Sequence, residues 1–186
     1  MTEPQTHEEL IAALEIVHVE AAEAFADLPE SQFFERPAPE VWSAAENVVH
    51  LIKSVRAVAS ALRLPKLSLR VMFGAAKGSR SYAELCDVYL ERLAQGGVAS
   101  GPYVPDRLTP ENGDEASAAR ARALRGWEKA SRNLVSELTP WSDAALDKYR
   151  LPHPLLGKLS VREMLMFTHY HNLHHLKLVR RIAADR

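Results

Sequence analysis

Cysteine is almost missing from this chain: Cys86 is the only one in 186 residues, which excludes an internal disulfide and any cysteine-rich zinc ribbon. Beside Leu85 and Val88 it reads as a small buried hydrophobe rather than a reactive thiol. Excess charge of either sign is also lacking. Lys and Arg number 23 against 24 Asp and Glu, a formal charge of -1, so no large field is available to hold phosphate backbones or anionic lipid. A nucleic-acid partner is therefore not expected. No uncharged apolar run approaches the ~20 residues of a membrane helix, and Met1-Thr2-Glu3-Pro4 carries neither a basic nor an apolar leader. The expectation is a soluble, cytoplasmic protein without membrane contact. Strand-like alternation of β-branched residues is nearly absent, as are repeats and low-complexity tracts, so an all-helical single domain over residues 1–186 is expected.

What is present is helical punctuation. Leu10, Leu14, Val17, Ala21 and Phe25 recur on one face of a helix predicted from about Thr6 to Asp27, with Pro29 beyond its end. Ser43 and Glu46 have capping-box spacing, opening a second helix that turns Ala44, Val48, Leu51, Val55, Val58 and Leu62 inward before Pro65. Residues 65–80 read as a loop with a short amphipathic piece around Leu67 to Phe73. Ser81 and Glu84 repeat the cap for a helix over Ser81–Leu93. Gly96 to Asp114 is punctuated by four glycines and three prolines, too densely for regular structure, and such a long loop is a candidate lid. Glu115 to Leu138 is helical again, burying Trp127 and Leu134. Its basic run Arg120, Arg122, Arg125, Lys129 and Arg132 reads as a solvated face. A connection through Pro152 and Pro154 leads to Ser160 and Glu163, the cap of a last helix. Four main helices, one additional short helix and a long loop make an all-α four-helix bundle.

The last helix carries the chemistry. At 3.6 residues per turn, Met164, Thr168, His171, His175, Leu178 and Ile182 form one inward stripe, placing two imidazoles where a core wants hydrocarbon. A pair at i, i+4 presents two lone pairs to one point, as in metal-binding H-x-x-x-H. His50 flanks the buried stripe of the second helix, so a modest rotation aims it into the interior as well. Three neutral imidazoles from two helices would hold a divalent metal and leave coordination positions open for water or substrate. The plainer alternative is a set of imidazoles satisfied by hydrogen bonds. Glu46 is explained most simply by its cap, although it could orient His50. His174 lies about eighty degrees off the stripe and reads as a packing residue, and His169 falls on the far side. His7 and His18 are expected to be exposed or ordinarily hydrogen-bonded, with a site-lining place left open for His18 by its closeness in pattern to Val17 and Ala21. His153 could reach the site only if its loop folds back. Trp42, Trp127 and Trp141 are read as packing residues.

Trp42-Ser43-Ala44-Ala45-Glu46 followed by His50-Leu51, with His171-x-x-His174-His175 later, is similar to the signature of the DinB/YfiT-like superfamily, and the resemblance covers nearly the whole chain. It implies a four-helix core with a divalent metal such as zinc, nickel or iron held by three histidines, positions that carry over onto His50, His171 and His175. His153-Pro154 through Gly157-Lys158-Leu159-Ser160 also looks like an element of one branch of these proteins. Leu176, Lys177 and Leu178 stand where many members carry a Gly and a Gln. Members with assigned activities use low-molecular-weight thiols as S-transferases, isomerases or hydrolases. The resemblance thus implies a metal-dependent enzyme, a thiol-dependent S-transferase or hydrolase, acting on a small-molecule substrate. The alternative is a non-catalytic metal or ligand binder that uses an exposed helix face for homodimerisation. No residue presents itself as an unambiguous general base.

Overall fold

Each long helix begins where a side chain satisfies its first free N–H groups. In the computed structural model, which describes residues 3–184, Thr6 accepts from the Glu9 N–H while Glu9 accepts from Thr6, opening α1 (His7–Asp27). A short α2 (Glu30–Phe34) follows, and the Ser43/Glu46 box opens α3 (Ala44–Leu62). α4 (Lys66–Phe73) occupies the amphipathic piece expected there, and α5 (Tyr82–Ala94) starts at the Ser81/Glu84 box. α6 (Gly113–Leu138) is capped by Asn112 and begins just inside the segment read as loop. After α7 (Asp143–Leu146), Ser160 and Glu163 exchange the same two bonds at the start of α8 (Val161–Ala184).

Side-chain contacts fix the direction of each helix. Arg162 reaches the Gln5 carbonyl near the start of both α8 and α1, and Arg180 meets Glu20 further along both, so these two run parallel. Trp127 Nε1 donates to the His18 carbonyl at 3.0 Å, and His7 Nε2 lies 3.0 Å from the Leu138 carbonyl, so α6 runs antiparallel to α1. Arg63 pairs with Glu137, and a Cβ on Gly126 would stand 3.1 Å from Ile52 Cδ1, so α3 lies parallel to α6 and close against it. Asn47 meets His175 while His50 meets His171, which makes α3 antiparallel to α8. The bundle is thus up, down, down, up. Parallel α3 and α6 cannot be joined by a short turn, and this is why α4, α5 and the long connection lie between them.

The shared core runs from Leu10 and Leu14 of α1 through Leu51 and Val55 of α3 and Trp127 and Leu134 of α6 to Leu165 and Val179 of α8. One feature departs from the all-helical expectation. The connection through Pro152 and Pro154 forms a hairpin, β1 (Arg150–His153) against β2 (Gly157–Ser160), with Arg150 opposite Ser160 and His153 opposite Gly157. Four-residue strands without β-branched alternation leave no periodic signal. The turn is closed by Gly157 at φ 74°, a left-handed conformation that glycine adopts without steric cost. No helix among the described residues is long and apolar enough to cross a membrane.

Candidate metal centre

His50, His171 and His175 come together between α3 and α8. His171 Nε2 lies 3.0 Å from His50 Nε2 and 3.2 Å from His175 Nε2, and the three ligand atoms all fall within 4.8 Å of one another. All three residues are buried. The two helices run antiparallel, and the site falls near the middle of α8 and close to the start of α3.

The second nitrogens decide what the cluster can do. His50 Nδ1 is 2.7 Å from the Tyr103 carbonyl, which can only accept, so Nδ1 carries the hydrogen and Nε2 keeps its lone pair. His175 Nδ1 is 2.6 Å from Asn47 Oδ1. The orientation of Asn47 is fixed in turn, because its Nδ2 donates to the Trp42 and Ser43 carbonyls at 3.2 and 2.8 Å. Two lone pairs therefore converge on the place where His171 Nε2 also points. Burial drives all three imidazoles below their ordinary range, His171 and His175 far below, with neighbouring histidines adding to the effect there. For His50 burial outweighs the opposing pull of the Tyr103 carbonyl. The rings are neutral at pH 7, the form a metal requires. Tetrahedral bonds of about 2.0–2.1 Å would separate ligand nitrogens by about 3.4 Å, so the cluster could hold a metal ion with small ring movements.

Several partners were not singled out from the sequence. Asn47 stands three residues before His50, on the same face of α3, and that spacing was the available signal. Tyr103 acts through its carbonyl, for which no side-chain signal exists, and it belongs to a 3₁₀ turn (Gly101–Tyr103) within the long connection. Trp42, read as packing, lies 5.0 Å from the His50 ring and stacks on His175 at 6.3 Å and 16°. Glu46 completes the cap as expected and is also held by Arg36 and by the Ser43 N–H at 2.8 Å. Burial alone would raise its carboxyl, but Arg36 and Ser43 together hold it below the usual carboxylate range. It is an occupied carboxylate rather than a base aimed at the histidines.

The other histidines divide. His174 is half-buried, its ring 5.4 Å from His175, and it lines the same cavity without joining the cluster. His169 lies off the stripe as expected but is buried, its Nδ1 2.8 Å from the Tyr82 hydroxyl. His18 is a correction. It is buried against Trp127, its Nε2 has no partner among the described residues, and burial takes its pKa to about 4. His153 does fold back, because the hairpin brings its ring 4.3 Å from Phe167. Cys86 is half-buried, and burial pushes its thiol up to about 11. A cavity of about 340 Å³ opens beside the cluster, walled by Trp42, Tyr89, Leu93, Leu151, Met164 and Phe167.

A helical bundle with three convergent histidines at the wall of an apolar cavity is the class that the fold and site define. The chain belongs to the DinB superfamily, whose sequence model matches residues 13–179. Its fold is shared with TT2238, a four-helix bundle protein, at 15% identity and a TM-score of 0.58 over 95% of this chain and 99% of that one. A DinB-like protein from Bacillus cereus ATCC 10987 matches at 14% identity and 0.59, over 98% and 93%. The colibactin self-resistance protein ClbS, solved in complex with a dsDNA, matches at 15% and 0.54 over 98% of both chains. No curated protein matches the chain.

The last of these corrects one expectation. Nucleic acid was excluded on the balance of charges, yet a chain of the same fold is solved with duplex DNA. A net charge sums the whole surface and does not report a local strip. The outer side of α6 leaves Arg122, Arg125, Lys129 and Arg132 exposed.

Proposed function

We propose that the chain acts as a single metal-binding domain in which His50, His171 and His175 hold one divalent ion, zinc, nickel or iron, at the wall of a substrate cavity. The reaction proposed is transfer to or hydrolysis at a small molecule, dependent on a low-molecular-weight thiol. The observation that carries this reading is the fixed direction of two rings: the Tyr103 carbonyl and Asn47 Oδ1 each take an Nδ1 hydrogen, turning the Nε2 lone pairs of His50 and His175 towards His171. A bound ion would supply Lewis acidity there, drawing the pKa of a bound water towards about 7 or favouring the thiolate of a thiol. The protein's own part is to position and to dry the site. Trp42 covers two of the rings, Phe167 stacks on His171 at 5.2 Å and 23°, and the mainly apolar walls offer water few partners.

Cytoplasmic location belongs to the same proposal, since such thiols are intracellular reductants. The test is elemental analysis of purified protein beside His50→Ala and His171→Ala. About one ion per chain in the wild type and a large loss in both variants is expected, whereas equal, negligible metal in all three defeats the proposal. Turnover of an electrophile panel with glutathione, mycothiol or bacillithiol then separates enzyme from binder. Activity that survives His175→Ala argues against the mechanism. Because Glu46 is occupied by Arg36, a non-catalytic binder acting as a homodimer is the second reading, and metal binding without turnover favours it. Nucleic acid enters through the duplex-bound neighbour, and salt-dependent binding of a duplex that weakens on neutralising Arg122 and Arg125 would place it on α6.

A further inference from the structure

Among the described residues that line the cavity of about 340 Å³ none is Asp, Glu, Lys or Arg, although one quarter of the chain is charged. At about 30 Å³ per water it has room for roughly ten waters or one small organic molecule. A charged group entering it would lose hydration and find no opposite charge. Some of its polar side chains are already engaged, since Ser54 Oγ donates to the His50 carbonyl at 3.0 Å and Thr168 Oγ1 to the Met164 carbonyl at 2.7 Å.

His153 is different. Its Nδ1 accepts from the backbone N–H groups of Leu155 and Leu156 at 3.2 and 3.1 Å, and a backbone N–H can only donate. Nδ1 therefore holds the lone pair, and in the neutral ring Nε2 carries the hydrogen. Burial keeps the ring neutral, with a pKa of about 4. Nε2 makes no hydrogen bond to the described residues, and the ring lines the cavity 4.3 Å from Phe167, which stacks in turn on His171. A fixed, neutral N–H donor thus stands across one aromatic ring from the three-histidine cluster.

We infer that the cavity selects uncharged, mainly apolar molecules that carry a carbonyl-type acceptor, and that His153 donates its Nε2 hydrogen to that acceptor. The inference rests on the metal proposal only for what the far end of the ligand meets. It excludes the charged parts of a peptide-like thiol from the cavity and leaves them at its mouth.

Three probes of similar size test it on chelator-treated, metal-free protein: acetophenone, ethylbenzene and benzoate, titrated by calorimetry. Acetophenone is expected to bind at least tenfold more tightly than benzoate. His153→Ala should weaken acetophenone about three- to tenfold and leave ethylbenzene unchanged, while His153→Gln, which keeps an N–H donor, recovers part of the loss. The carbonyl stretch of acetophenone bound to the wild type should shift to lower frequency than in an apolar solvent, a readout that needs no variant. Benzoate binding as tightly as the ketone, an unshifted carbonyl band, or equal losses for ketone and hydrocarbon in His153→Ala would overturn the inference. Metal is removed throughout, so failure of the three-histidine proposal in a zinc titration leaves this outcome readable.

Discussion

At the residue scale the site depends less on the histidines than on what holds their far nitrogens. Asn47 is the clearest case, buried and bonded on both ends of its amide. Without Oδ1 the His175 ring is free to rotate and to shift its hydrogen to Nε2. Asn47→Ala is expected to weaken zinc binding about 10- to 100-fold in a chelator competition, with far-ultraviolet circular dichroism unchanged, while Asn47→Asp, which keeps an acceptor, stays near wild type. Affinity unaltered in the alanine variant would show that the ring is held by packing alone. The sequence was informative here in proportion to periodicity. His171 and His175 were legible because a 3.6-residue stripe made them misplaced, and His50 because it flanked another. His18 was legible only in part, since its spacing from Leu14 and Ala21 puts it beside the buried stripe of α1 without announcing Trp127, and His153 was not, being half-buried by a hairpin that the spacing of its neighbours does not announce.

At the element scale the start of α8 is held by more than its cap. Arg162 grips Asp147 with Nε and Nη2, both at 2.8 Å, and reaches the Asp143 carbonyl at 2.9 Å, tying α7 and α8 together. Arg80 meets Glu163 on the other side at 2.7 Å. Arg162 is largely buried, so Arg162→Ala leaves the half-covered Asp147 with the Ser79 hydroxyl but no cation, at a cost of about 2–3 kcal/mol in urea unfolding. A cost below about 0.5 kcal/mol would mean that water replaces the guanidinium freely. The capping boxes of α3, α5 and α8 and the buried faces of α1 and α3 could be read in advance, because both signals are local. The hairpin, α2 and α7 could not, being four or five residues long and held by tertiary contacts rather than by propensity.

At the scale of the whole molecule the interior histidines make folding sensitive to acid. His18 and His153 titrate near 4 in the folded chain and near the ordinary 6.5 when unfolded, so between those values the unfolded chain binds more protons. Their contribution is complete above pH 6.5, declines as pH falls through that window, and levels off below about 4. Each accounts for roughly 3 kcal/mol at most. Urea midpoints should fall steadily from pH 7 to 4.5 for the metal-free protein. His18→Leu, which also removes a buried nitrogen without a partner among the described residues, should flatten that decline, and an unchanged slope would place the titrating groups elsewhere.

The pairing of His50 with His171 spans 121 positions of the chain and joins two helices that run in opposite directions. An ion seated on those rings would act as a removable clasp, closing most of the polypeptide into a loop that an unfolded chain cannot hold. By mass action, metal at one hundred times its dissociation constant adds about 2.7 kcal/mol to stability. Protease resistance would then track the free concentration of the ion, letting the cell's metal supply set how long each copy survives.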